Sequence, residues 1–320
     1  MWLLLAVCSA ILLGLYDVAK KQALRKNGTF AVLLVATAFS TLFVSPFLRI
    51  GPVEDHLRLG LKAVLVTASW VSGMEGLKRL PLTTVSTIKG SRPVFVVLFS
   101  LILFGERLNV WQWLGIVIVL GALFMLGRTS RSDGTVEVRK AGFVWMGLSV
   151  VTGVASALYD KHIMQGMEPM FVQSWTNLYI TLLLGLGFLT LLAVRRGFSA
   201  KTVAARGRVN GRGPRLQAWE GRAKRGLGGE TPAGQQEGLR ITWDWTLLLV
   251  AVLITCADAL YFYSLKQPDA LLSVISVVRR SSVLITFVFG AIIFKEGNIR
   301  AKALNMLLMA AGVAVLLIGS

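Results

Sequence analysis

Apolar runs of 17–25 residues recur along the whole 320-residue chain, and they decide what it can fold into. A run of that length matches the ~30 Å hydrocarbon core of a bilayer at about 1.5 Å per helical residue. Inside that core every backbone N–H and C=O must be bonded internally, which makes each such run a helix. The charged fraction agrees: 16% of the residues, against about 25% in a soluble domain. The expected fold is therefore all-α and integral to the membrane.

Ten transmembrane helices are expected, over residues 2–18, 29–48, 59–77, 82–104, 111–127, 142–159, 171–194, 245–265, 270–294 and 303–318. The first run has the length of a signal peptide but no cationic stretch before it, so it reads as a retained helix. Leu5-Ala6-Val7-Cys8 resembles a lipoprotein cleavage site, with Val7 where a small residue belongs. Residues 1–127 form a first unit, 128–140 a polar linker and 141–320 a second unit. Residues 195–240 interrupt the second unit; they are rich in Gly and Arg, hold little apolar surface, and are expected to be disordered.

One stretch occurs twice. Residues 81–106 (PLTTVSTIKGSRPVFVVLFSLILFGE) are echoed by 268–296 (PDALLSVISVVRRSSVLITFVFGAIIFKE). At an offset of 190, Lys89 matches Arg279, Ser91 matches Ser281, Phe104 matches Phe294 and Glu106 matches Glu296. Tyr16-Asp17 recurs as Tyr159-Asp160 at an offset of 143, and the difference of 47 is about the length of the 195–240 insert. The halves thus read as a duplication, and five spans being odd, the second must cross in the opposite sense. Such a 5+5 inverted repeat places substrate near the bilayer midplane, where the halves meet. Lys and Arg crowd the loops that follow odd-numbered spans. The positive-inside rule then puts both termini outside and the 195–240 loop in the cytoplasm of a multi-pass cell-membrane protein.

Cations deep inside spans are expensive, at roughly 2.5–3.5 kcal/mol each even on the lenient insertion scale, so paired ones suggest a site. Lys89 and Arg92, three residues apart, share a helix face. Pro93 lacks an N–H and leaves the carbonyl of Lys89 free to line a cavity. Arg279 and Arg280 stand about 100° apart on their helix and should not face one site together. Lys89 with Arg279 or Arg280 forms a candidate anion clamp, the alternative being snorkelling or pairing with internal acids. Glu75 and Asp258 are those acids, read either as proton-coupling groups or as static counter-ions. Trp70 and Tyr261 are candidates for stacking on a ligand ring. Asp17 and Asp160 read as solvated or capping groups at helix ends, and Glu106 and Glu296 as helix terminators paired with nearby cations. His56 and His162 have no metal-ligand company, Cys8 and Cys256 lie inside apolar runs, and no catalytic constellation is visible.

With these features the sequence resembles the drug/metabolite transporter superfamily, EamA type, over essentially the whole chain outside 195–240. The resemblance rests on the 5+5 repeat and on the aromatic-Gly-Glu and aromatic-Lys-Glu endings at Glu106 and Glu296, each followed by a small-residue span. It implies a carrier of a small metabolite working by alternating access. Ile88-Lys89 and Val278-Arg279-Arg280 further resemble the sugar-phosphate and nucleotide-sugar branch, which implies Lys89, Arg279 and Arg280 as ligands of a phosphate or carboxylate. Arg279 departs from the lysine of that pattern, and Arg92 has no counterpart in it.

The leading expectation is a secondary transporter of a small organic anion, with no cofactor, lipids as surroundings, and a proton or counter-substrate as possible coupling partner. Export of neutral or amphipathic metabolites is the alternative; it predicts that Glu75 and Asp258 neutralise Lys89 and Arg279. An enzyme on lipid-linked substrates lacks the clustered His or acids it needs, and a lipid-binding scaffold would use the basic loop on anionic headgroups. The net charge of +18 follows loops and span ends, a pattern of membrane topology rather than of nucleic-acid binding.

Overall fold

A computed structural model describes the chain except for residues 25, 78, 80–87, 90, 130–139, 210–241, 295–298 and 320. Among the described residues the fold is all-helical. The helices are α1 (Trp2–Ala23), α2 (Thr29–Val44, continued by a 3-10 turn Ser45–Phe47), α3 (Val53–Leu77) and α4 (Arg92–Phe104). Then come α5 (Val110–Thr129), α6 (Lys140–Met164), α7 (Pro169–Val209) and α8 (Trp245–Lys266). The last are α9 (Leu272–Arg280), α10 (Ser282–Phe294) and α11 (Ile299–Ile318). Each of the ten expected spans contains a helix, and α1, α2, α6, α7 and α8 are long and apolar enough to cross a membrane.

The ends follow local chemistry. Lys20 and Lys21 sit in the last turn of α1, and Glu54 and Asp55 in the first turn of α3, each charge matched to the helix dipole. Asp244 caps α8 by accepting from the Thr246 N–H at 3.3 Å. Gly105 ends α4 with φ 60°, a left-handed conformation that costs a side-chain-bearing residue about 1–2 kcal/mol. On α4, Pro93, Val96, Val97 and Ser100 face inward, while Leu98, Ile102 and Leu103 are half or more exposed. That outer apolar face is what hydrocarbon would cover.

Three long seams hold the bundle together: α1 against α8, α3 against α6, and α5 against α11. At the last, Gly115 and Gly312 let the backbones close in; a Cβ on Gly115 would stand 2.8 Å from the Gly312 carbonyl oxygen. The contacts between loops sort into two poles. Residues 45–52, 105–109, 165–168 and 267–271 and both chain ends gather at one pole, tied by Trp175 to the Arg49 carbonyl, Lys161 to Glu106, Lys266 to the Met167 carbonyl and Asn109 to the Gly319 carbonyl. Residues 26–28 and 242–244 meet at the opposite pole through Lys26–Asp244 (2.9 Å) and Asn27–Thr242.

Two expectations need correction. The ninth span is not one helix: it breaks at Ser281 into α9 and α10, although neither Gly nor Pro stands there. Of the fourth, the described part is a helical turn at Ile88–Lys89, a turn at Ser91 and the helix from Arg92; residues 82–87 and 90 lie outside the described residues. Finally, α7 runs 41 residues to Val209, fifteen residues into the stretch expected to be disordered. Its sequence there (RRGFSAKTVAARGRV) is rich in Ala, Arg and Lys, all good helix formers.

Candidate functional site

The half-helix α9 is the centre of the bundle. Leu272, Val274, Ile275, Val277 and Val278 are all 0% exposed, so it is buried on every side. A buried helix still owes partners to its end N–H and C=O groups and to its dipole. Glu106, from the turn after α4, answers at the start: its Oε1 accepts from the Leu272 N–H at 2.7 Å, and its Oε2 from the Ser273 N–H at 3.1 Å and from the Ser273 hydroxyl. Lys161 of α6 completes the cluster at 2.6 Å from Oε1. Burial pushes the Glu106 carboxyl up, but the Lys161 and Ser273 hydrogen bonds outweigh it and hold the group below the usual glutamate range. Glu106 thus stands just past the end of α4, which Gly105 terminates, and pairs with a cation from the other half of the chain. Beside it a cavity of about 580 Å³, lined by Glu106, Arg107, Lys161 and Asp269, opens at this pole.

At its other end α9 carries Arg279 and Arg280, cations matched to the C-terminal dipole. They point different ways, as their angular spacing requires. Arg279 pairs with Asp258 of α8 at 2.8 Å and lies over the Tyr261 ring, 4.1 Å from its centroid. Arg280 reaches α4 instead, donating to the Lys89 carbonyl at 3.0 Å. This is the carbonyl that Pro93 deprives of its helical donor. The two spans are therefore joined by Arg280, the neighbour of the Arg279 that the repeat brings into register with Lys89.

Lys89 and Arg92 both face α3, one turn apart. A methyl on Gly73 would stand 3.4 Å from Lys89 Nζ, and Arg92 donates to the Ser69 hydroxyl and, at 3.0 Å, to the Ser149 carbonyl of α6. Gly153 makes the slot: a Cβ there would fall 1.1 Å from Arg92 Nη2. Lys20, Arg280 and Arg92 all lie within electrostatic range of Lys89. Among the described residues no carboxylate stands at ion-pair distance from Lys89, Arg92 or Arg280, while Arg279 has Asp258. The seam between the broken helices therefore holds a local excess of positive charge.

The remaining candidates separate. Glu75 pairs with Arg79 one turn on, at 2.6 Å, and does not balance Lys89. Trp70 packs into a cluster with Leu33, Ala63, Ile180 and Leu184, between α2, α3 and α7. Tyr261 is 6% exposed and donates to Asp160 Oδ2 at 3.3 Å, so its hydroxyl is committed within the protein. Asp17 is half-buried six residues before the end of α1, and Asp160 is buried within α6, so neither is a solvated helix end. Asp160 instead pairs at 2.8 Å with Lys62 of α3, itself 2% exposed. Sequence reading passed over Lys62 because a single lysine three residues inside a span looks like boundary charge. His56 bonds Tyr179 through Nδ1 at 3.0 Å and packs edge-on to Trp175, a structural role; among the described residues no cluster suits a metal. Glu296 lies outside the described residues.

Residues 1–128 match the model of the EamA-like transporter family. An uncharacterized transporter in the cobO 3′ region of Sinorhizobium sp. is 25% identical over 133 residues, which are 39% of this chain and 93% of that protein. One crystal structure superposes with a TM-score of 0.70 at 14% identity over 99% of this chain and 97% of the other, a likeness of fold.

Proposed function

We infer, from residues 1–128 being of the EamA-like transporter family, that the chain is a secondary carrier moving a small organic anion across the membrane by alternating access. The matching family and the named relative are both described as transporters, and the all-helical bundle with its apolar, membrane-length helices agrees with that. The inverted 5+5 repeat draws support from the seams. If spans 1–5 correspond to spans 6–10, the α1–α8 seam corresponds to α6–α3 and the α5–α11 seam to itself, which is the pairing present. On that reading the substrate sits where α4 and the α9–α10 break meet. The positive-inside rule sets the pole of the two termini outside.

The observation that carries the anion is the unmatched charge of Lys89, Arg92 and Arg280 beside broken helices. Asp17 lies within electrostatic range of Arg280, but among the described residues no carboxylate stands at ion-pair distance from any of the three cations, and the net positive charge left at that depth is costly until an anion joins it. Lys89 and Arg280 are the proposed ligands, with Arg92 as the charge behind them. Arg279 is a weaker candidate than its sequence match implies, because Asp258 already neutralises it. That pairing is what the alternative, export of a neutral or amphipathic metabolite, expects of Arg279. Glu75, however, does not neutralise Lys89 as that alternative also requires.

The test is thermal stabilisation of the purified protein by sugar phosphates, nucleotides, carboxylates, amino acids and neutral nucleosides. A bound ligand at a hundred times its Kd adds about 2.7 kcal/mol, well within reach of the measurement. Anions should stabilise the wild type and fail on Lys89→Ala and Arg280→Ala. Stabilisation by neutral compounds alone, unchanged in Lys89→Ala, would overturn the anion reading.

A further inference from the structure

We propose that Asp160 is the group that takes up the proton coupled to transport, with Lys62 as the cation that holds it while unprotonated. The proposal rests on the carrier reading above.

Begin with the pair. Lys62 and Asp160 are 2% and 7% exposed and meet at 2.8 Å across the α3–α6 seam. The pair is under-satisfied. Among the described residues neither Lys62 Nζ nor Asp160 Oδ1 has a well-directed hydrogen bond, and Oδ2 receives one long bond, 3.3 Å from Tyr261. The ammonium otherwise faces the Phe262 ring, 3.9 Å from its centroid. A buried ion pair repays its desolvation only when the remaining lone pairs and protons also find partners. Here they do not, so fold stability alone gives no reason to keep it. Glu106 and Lys161, one residue along α6, show what a fully partnered carboxylate looks like in this molecule.

Its position gives the pair a use. Ser69 lies seven residues beyond Lys62 on α3, and Gly153 seven before Asp160 on α6, so both are two turns, about 10 Å, along the same faces. At that level Ser69 and Ser149 exchange hydrogen bonds, 2.9 and 2.7 Å, and Arg92 enters. One seam between the halves thus carries the titratable pair at one level and a cation of the anion site at the next. A second link runs through Tyr261, which bonds Asp160 and lies under Arg279. Among the described residues, the charged and titratable groups facing Asp160 are Lys62 from α3 and Tyr261 and Asp258 from α8, with Arg279 from α9 beyond Tyr261.

The step balances simply. A hydronium ion gives its proton to the Asp160 carboxylate: one O–H bond of the hydronium breaks, one O–H bond forms on the carboxyl, a water molecule leaves, and Lys62 is left charged without its partner. The seam then loses its ion pair and gains one positive charge on the side that receives the anion, which favours sliding α3 past α6 and binding a negative substrate together.

The test reads the proton without any substrate. Infrared difference spectra of the purified protein between about pH 8 and about pH 5 should show the carbonyl stretch of a buried protonated carboxyl. It should shift on 13C-carboxyl labelling of aspartate in the wild type, and of glutamate in Asp160→Glu, a variant that keeps the charge and the fold. Absence of the band, or a band that still follows the aspartate label in Asp160→Glu, overturns the proposal. Proteoliposomes supply the second arm, with inorganic phosphate, citrate and glucose 6-phosphate as probes. In Asp160→Asn the ratio of accumulation under a pH gradient to exchange at equal pH should fall about tenfold or more; an unchanged ratio excludes Asp160 from coupling. If the wild type exchanges none of the three probes, the anion reading fails, and the infrared result still decides Asp160.

Discussion

Gly153→Ala isolates the seat of Arg92. The new methyl would fall 1.1 Å from Nη2, 1.9 Å from Cζ and 2.4 Å from Nε, so the guanidinium must leave its slot. Being the end of a flexible side chain, it can swing away at little steric cost, and the loss is then electrostatic. Two hydrogen bonds from a charged donor, to Ser69 and to the Ser149 carbonyl, are broken. Bonds of that kind contribute about 1.5–3 kcal/mol each. Alanine returns about 1 kcal/mol of helix propensity. The net destabilisation is then about 2–5 kcal/mol, read as a fall in Tm of the purified protein. The decisive form is a double-mutant cycle with Arg92→Ala. If Gly153 matters because of Arg92, the methyl costs nothing once the arginine is gone, and the double variant is more stable than Arg92→Ala alone by the helix-propensity gain of about 1 kcal/mol. Effects that add to within about 0.5 kcal/mol would show the two sites to be independent and refute the reasoning.

Three further outcomes are expected. Removing one partner of Lys62–Asp160, as in Lys62→Met, should cost about 3–5 kcal/mol, while Lys62→Met with Asp160→Leu should recover most of it, measured by chemical unfolding. Because folding depresses the Glu106 carboxyl, its stabilisation is complete above the unfolded value of about 4.3 and is lost as pH falls through the lower folded value. Acid should therefore lower Tm in the wild type below about pH 4, and less steeply in Glu106→Gln, which starts less stable. Gly105→Ala should lower stability by about 1 kcal/mol and Gly105→Asn by less, since asparagine tolerates the left-handed region.

The spans were legible because hydropathy is local: each run carries its own length and its own polar ends. The weak point in the fourth span was legible too, since Pro93 announces the missing donor at Lys89. Its counterpart at Ser281 was not, because the break there has no local cause. It accompanies Arg280 reaching across to α4, a contact 191 positions away. Lys62 and Asp160 failed for the same reason: each looks like ordinary charge near a boundary, and their meaning comes from pairing across 98 residues of sequence. Glu106 was read correctly as paired with a cation, but Gly105 ends the helix, and the partners of Glu106 were out of reach because they sit in the second half of the chain. Charge type and depth can be read from sequence; which carboxylate answers which cation is decided by packing.

The length of α7 has a mechanical consequence. Its 41 residues make a rod of about 60 Å, twice what the hydrocarbon core takes up. About 30 Å of rigid helix therefore stands off the membrane as a mast rooted in the second half. A mast turns small rotations at its foot into large excursions at its tip: a change in tilt of about 20° moves the far end by about 10 Å. If the chain is the alternating-access carrier proposed above, a label near residue 209 paired with one at the Lys26 pole would report rocking of the halves as a distance, in a bilayer and without any substrate being known.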